Sequence, residues 1–171
     1  FTNAASAAAE QAPHIVMADA LALADAIRSR QVSCVEVMTN YLDHIERINP
    51  KVNAIVALQD RAGLLAQASE RDAQLARGDL MGPLHGFPYA VKDLALVKGI
   101  RTTFGSPILK DFFPTTDSIV VERLRKAGAI FIGKTNAPEF GLGSHTSGLA
   151  PVASSRRRTS IGSNVQRAGS S

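Results

Sequence analysis

Between Phe87 and Gly133 the chain reads "FPYAVK", then a stretch rich in glycine and threonine, then "SIVVERLRKA", Gly128 and "AIFIG". The outer pieces are short apolar runs of strand length, and the middle piece carries its apolar residues at helical period. Strand, helix, fully buried strand predicts a right-handed crossover between parallel neighbours, because parallel strands cannot be joined by a tight hairpin. Asp117 is the expected helix cap and Gly128 the stop. This unit commits the chain to an α/β class with a partly parallel sheet. It also brings Lys92 and the segment "GKTNAPEF", Gly133 to Phe140, to the same carboxyl edge, where open α/β sheets place their ligands.

The residues before this unit read mainly as helices. A helix is expected from about Asp19 to Arg30, with Leu23 and Ile27 four apart on one face. Ser33 and Glu36 match the reciprocal capping box and open a second helix. That helix carries Val37, Tyr41, Ile45 and Ile48 at helical spacing and is expected to stop before Pro50. "VNAIVAL", Val52 to Leu58, reads as a short buried strand. A third helix runs from about Gln59 to Arg77, with Gly78 suited to its C-terminal cap.

A chain of 171 residues with 45% hydrophobic and 20% charged residues has the composition of a single globular domain. No apolar run reaches the ~20 residues of a membrane-spanning helix. The net charge of +4 suggests nucleic acid until its location is considered. Arg156, Arg157, Arg158 and Arg167 lie in a tail without aromatic or acidic residues, and the 15 other basic residues balance 15 acidic ones. Basic residues that bind single strands are interleaved with stacking aromatics, so the composition argues against a nucleic-acid partner. The four histidines have no metal-ligand spacing, no phosphate-loop pattern is present, and no cofactor or metal is implied. Cys34, the only cysteine, falls on a helix and reads as a structural thiol. The alanine-rich start lacks the charged and apolar parts of an export signal, leaving both a cytoplasmic protein and one exported after signal cleavage open.

Lys92 ends an apolar run. A lysine held among apolar groups has its charged form disfavoured, so its pKa falls and it can serve as a base near neutral pH. The plainer alternatives are an ion pair with Asp93 or a side chain that reaches water from a strand end.

"GPLHGFPYAVKD", Gly99, "TTFGS" at 102–106 and "DSIVVERLRKAGAIFIGKTNAPEFGLGSHT" at 117–146 together resemble the amino-terminal part of the amidase signature family. The motifs occur in the family's order over about Asp19 to Thr146. The resemblance implies an amidase-signature fold, with amino-terminal helices packed on a mixed, partly parallel sheet. It implies cleavage of a small carboxylic amide to acid and ammonia or amine by a Ser–cis-Ser–Lys triad. Lys92 matches the base of that triad, which passes protons through a bridging serine on a cis peptide bond. Backbone N–H groups of the glycine-rich segment would stabilise the oxyanion. Asp93, Thr103 and Ser106 are expected to support the lysine loop, with Asn136, Glu139 and Phe140 at the substrate edge. The A-subunit of a tRNA-dependent amidotransferase shares these motifs and is the alternative within the enzymes. A non-catalytic scaffold is the alternative outside them.

After Thr146 the sequence departs from the family's pattern. "SGLAPVASSRRRTSIGSNVQRAGSS" contains only "AGSS" as a counterpart of the glycine- and serine-rich loop. Ser170 is the candidate for the bridging serine, and no residue matches the nucleophile. The expected organisation is an irregular leader over 1–18, an amidase-signature segment over 19–146 and an Arg/Ser-rich tail over 147–171. A chain ending there is expected to be a truncated, inactive form with an exposed sheet edge. Substrate identity and oligomeric state have no signal in these residues.

Overall fold

The computed structural model describes residues 15–143. Four α-helices and two strands follow in the order α1 (Ala20–Arg28), α2 (Cys34–Val52), α3 (Arg61–Ala76), β1 (Pro88–Lys92), α4 (Ile119–Lys126) and β2 (Ile130–Thr135). Short 3-10 turns at Pro107–Leu109 and Glu139–Gly141 lie in the loops after β1 and β2. The strands pair in parallel, as the crossover requires. On one face of the sheet, Ile130 and Ile132 pack with Leu23, Ile27, Val37, Met38, Leu42 and Leu64 of α1–α3. On the other, Phe131 and Val91 pack with Val97, Ile100 and Val121 of the crossover. The result is an α/β sandwich, helices over both faces of a small parallel sheet. No helix in the described residues is long and apolar enough to cross a membrane.

Local chemistry sets the helix boundaries. Asp19 caps α1 by accepting from the Leu21 and Ala22 amides. Ser33 and Glu36 form the reciprocal capping box at the start of α2. Asp72 of α3 adds a second set of acceptors there, taking the Cys34 amide at 2.7 Å and the Val35 amide at 3.1 Å. A carboxylate on one helix thus complements the free N–H groups and positive end of another. Gly78, at φ +87°, lets the chain leave α3.

Three boundaries differ from the sequence expectation. Helix α2 does not stop before Pro50 but runs through it to Val52. So near the C-terminus, proline removes a single helical donor, and the Asn49 side chain secures the end by pairing with both the N–H and C=O of Ile55. "VNAIVAL" is not a strand: Val52 belongs to α2 and Asn53 turns into the left-handed region. The remainder follows β2 through an isolated antiparallel bridge, Ile55 with Thr135, and bonds from the Val56 amide to the Lys134 carbonyl and the Gln59 amide to that of Ile132. Asp117 is not the cap of α4; Ser118 occupies that position. The Asp117 carboxylate instead accepts from the Lys98 amide at 2.6 Å and from Arg125 at 2.8 and 3.2 Å. The Arg125 guanidinium, aided by the Lys98 amide, holds this carboxyl below its ordinary range.

The sheet contains a β-bulge. Tyr89 pairs with Phe131, but Ala90 pairs with Gly133, so Ile132 is an extra residue on β2. Beyond the bulge, Lys134 stands opposite Val91 and Thr135 opposite Lys92. A Cβ on Gly133 would lie 2.6 Å from the Ala57 carbonyl oxygen, so the close approach of the 54–59 segment requires glycine there.

Candidate active site

Lys92 is the last residue of β1 and is exposed at the carboxyl edge of the sheet. Its Nζ donates to the Asn136 carbonyl at 2.6 Å. Asn136, the first residue after β2, is itself anchored, its amide donating to the Ala54 carbonyl at 2.8 Å and its Nδ2 to the Asn53 carbonyl at 3.4 Å. The loop after one strand therefore fixes the lysine at the end of the other.

Asp93 does not pair with Lys92. Adjacent strand residues face opposite sides, and the buried Asp93 carboxylate turns toward the crossover. There it accepts from the Thr103 amide at 3.0 and 3.2 Å and from Thr103 Oγ1 at 2.5 Å. Thr103 Oγ1 in turn accepts from the Gly105 amide at 3.1 Å. Ser106 Oγ donates to Glu139 Oε1 at 2.7 Å. The Phe140 amide donates to the Phe104 carbonyl at 2.7 Å.

The loop after β1 and the turn after β2 consequently form one ledge beside Lys92. A Cβ on Gly105 would lie 2.5 Å from the Ala137 carbonyl oxygen, and Gly105 also has φ +70°, so only glycine permits this contact. Phe140, at φ 49°, is 49% exposed, and Glu139 is exposed beside it.

A second lysine lies one strand away. Lys134 is fully buried, between Gly133 and Thr135 of β2, and its Nζ donates to the Ala95 carbonyl. Burial pushes its pKa down to about 8, against the opposing pull of the Asp93 and Asp117 carboxylates. The apolar setting expected around Lys92 is found around Lys134.

A lysine tied to the loop after β2, a buried carboxylate–threonine pair and a glycine-dependent ledge thus meet at one sheet edge. A family model described as Amidase matches residues 36–160. The chain belongs to the amidase family. It is 44% identical over 124 residues to the glutamyl-tRNA(Gln) amidotransferase A-subunit of Carboxydothermus hydrogenoformans, an alignment covering 72% of this chain and 25% of that protein. The corresponding protein of Azoarcus sp. is 49% identical over 119 residues, covering 70% and 24%. Among solved structures, the peptide amidase of Stenotrophomonas maltophilia matches 72% of this chain and 25% of its own at a TM-score of 0.65 and 34% identity. A fatty acid amide hydrolase matches 75% and 22% at a TM-score of 0.70 and 28% identity. The chain spans about a quarter of the length of the curated relatives it matches.

Within this amidase-family fold, the structure brings Lys92 to Asn136, Asp93 to Thr103, and Ser106 to Glu139. Ser170 and the segment from Ser144 onward lie outside the described residues, as do residues 1–14 of the leader. The family match itself reaches residue 160, into the segment after Thr146. Sequence reasoning does not single out Lys134. Its signal is nonetheless present: a lysine directly following the fully buried "AIFIG" has no solvent face within reach.

Proposed function

We propose that this chain is the amino-terminal part of an enzyme that cleaves a carboxylic amide, with Lys92 as the general base. The Lys92–Asn136 hydrogen bond carries this reading, since it holds a lysine amine in one orientation at the ligand-binding edge of the sheet. In the Ser–cis-Ser–Lys scheme implied by the family resemblance, Lys92 accepts a proton relayed through the bridging serine from the nucleophilic serine. The nucleophile attacks the amide carbonyl, and the relayed proton leaves with the amine. Water then attacks the acyl-enzyme, with the same relay accepting its proton, and releases the acid. Both serines would lie downstream of Thr146. The Asn136 carbonyl orients the amine, and the Asp93–Thr103 pair stiffens the backbone that presents it.

The higher identity to amidotransferase A-subunits than to the peptide amidase favours a second, narrower reading. The amide would then be a glutamine side chain, and the ammonia would pass to a partner protein holding glutamyl-tRNA. Both readings share the cleavage step and Lys92.

The test is ammonia release from glutamine and from a panel of small carboxamides by the whole protein as its source makes it, beside its Lys92→Met variant. Turnover that falls about a thousandfold in the variant supports the reading, the magnitude being that of a general base. Turnover by the variant equal to wild type removes Lys92 from the mechanism. No turnover by the wild type, with or without a copurifying partner, leaves a non-catalytic scaffold.

A further inference from the structure

An amine buried near the carboxyl end of a parallel strand demands a reason. Bringing an ammonium out of water costs several kcal/mol, whereas an apolar side chain of similar length would cost nothing there. Lys134 has no exposed surface, so neither substrate nor solvent reaches its amine, and it cannot serve as a second base. Its one hydrogen-bond partner among the described residues is the Ala95 carbonyl.

Through Ala95, Lys134 is two hydrogen bonds away from the proposed base. The Ala95 amide donates to the Lys92 carbonyl at 3.0 Å, closing a tight turn directly after β1. Lys134 holds that same residue from its other side, through its carbonyl. The intervening Asp93 is fixed by Thr103, so the turn after Lys92 is secured at consecutive points. The bulge makes this reach possible. Ile130 and Ile132 face the α1–α3 layer, and strict alternation would send position 134 the same way. The extra residue turns Lys134 to the face of Val91, beneath the turn. Asp93 and Asp117 supply the opposite charges on that side, one from the turn and one from the start of α4.

We propose that Lys134 is a positioning residue for Lys92: its amine holds the Asp93–Val97 turn closed on the end of β1 and thereby fixes the direction in which Lys92 leaves the strand. This rests on the reading of Lys92 as the base.

The test uses the whole protein with Lys134→Met, which keeps length without a donor, and Lys134→Ala, which leaves space for a small amine. Turnover is measured with and without ethylamine, and amide hydrogen exchange is followed by peptide. The expected result is a 10- to 100-fold lower kcat with KM within about threefold of wild type, together with faster exchange confined to the peptide over 94–97. Ethylamine should restore part of the Lys134→Ala rate, as a free donor to the Ala95 carbonyl. Wild-type kcat and wild-type exchange at 94–97 in Lys134→Met would overturn the proposal. So would a loss of rate that ethylamine does not restore and that accompanies faster exchange throughout the fold, the mark of a purely structural lysine. If Lys92→Met retains turnover, the base reading fails by itself, and the exchange at 94–97 still decides whether Lys134 holds the turn.

Discussion

Ser106 and Glu139, 33 positions apart in sequence, are joined by a 2.7 Å hydrogen bond that ties the loop after β1 to the turn after β2. Ser106 is fully buried and Glu139 exposed, so the bond anchors the rim of the ledge to its interior. Ser106→Ala is expected to destabilise by about 1.5–3 kcal/mol, the range of a hydrogen bond to a charged acceptor. Glu139→Gln, which keeps an acceptor oxygen, should cost less than half as much. Urea unfolding of both variants and their double mutant checks this, and independent, additive effects would show that the bond contributes nothing.

Asp93 makes an all-acceptor set with Thr103, receiving an amide and a hydroxyl while buried. Asparagine in its place would turn an NH2 group toward one of those donors. Asp93→Asn is expected to cost about 2–3 kcal/mol, more than Thr103→Ser, which keeps both donors. Thermal unfolding compares the two, and equal costs would contradict the assignment.

The buried amine of Lys134 makes stability depend on pH. Its pKa is about 8 in the fold against 10.5 for an ordinary lysine. Between those values the unfolded chain holds more protons, so stability rises with pH across this window and is lost as pH falls back toward 8. The difference amounts to about 3 kcal/mol. Lys134→Met should abolish this rise and be more stable than wild type at pH 7. Urea midpoints at pH 7 and pH 10 measure it, and a wild-type profile parallel to that of Lys134→Met would refute it.

The Cys34 side chain fills the space that a side chain at position 86 would need. A Cβ on Gly86 would lie 2.2 Å from Cys34 Sγ, and Gly86 has φ +77°. Gly86→Ala is expected to cost about 2–4 kcal/mol from overlap and backbone strain. Cys34→Ala in the same chain should recover about 1 kcal/mol of that, a coupling visible in a double-mutant cycle. Burial pushes the Cys34 thiol up to about 12, so a disulfide reagent should modify it only at the rate of unfolding.

The start of α2 was legible because Ser33 and Glu36 satisfy each other within four residues, with no help from the tertiary fold. The parallel pairing was legible because "AIFIG" and "FPYAVK" flank a helical period, and the crossover leaves little choice of topology. Local signals failed where distant groups decide. Pro50 reads as a stop, but Asn49 pairs with Ile55 and carries the helix past it. Asp117 reads as a cap, but Arg125, eight residues further on, takes its carboxylate. At the site, the sequence placed Lys92 and the 133–140 segment on a shared edge. The apolar run before Lys134 hints at its burial, but the side of the sheet it joins depends on one unpaired residue in β2, which no local signal marks.

That extra residue has a consequence for how such a chain can change over generations. A point substitution at Lys134 alters what the side chain is, but only the loss or gain of a residue near Ile132 alters which side of the sheet it joins. Deleting one residue there would send the lysine into the packed leucines and isoleucines of the helical layer and leave the turn after Lys92 without its clasp. Length is therefore constrained in this strand alongside the glycine at position 133, and a gap of a single position would move the lysine where an exchange would only change it.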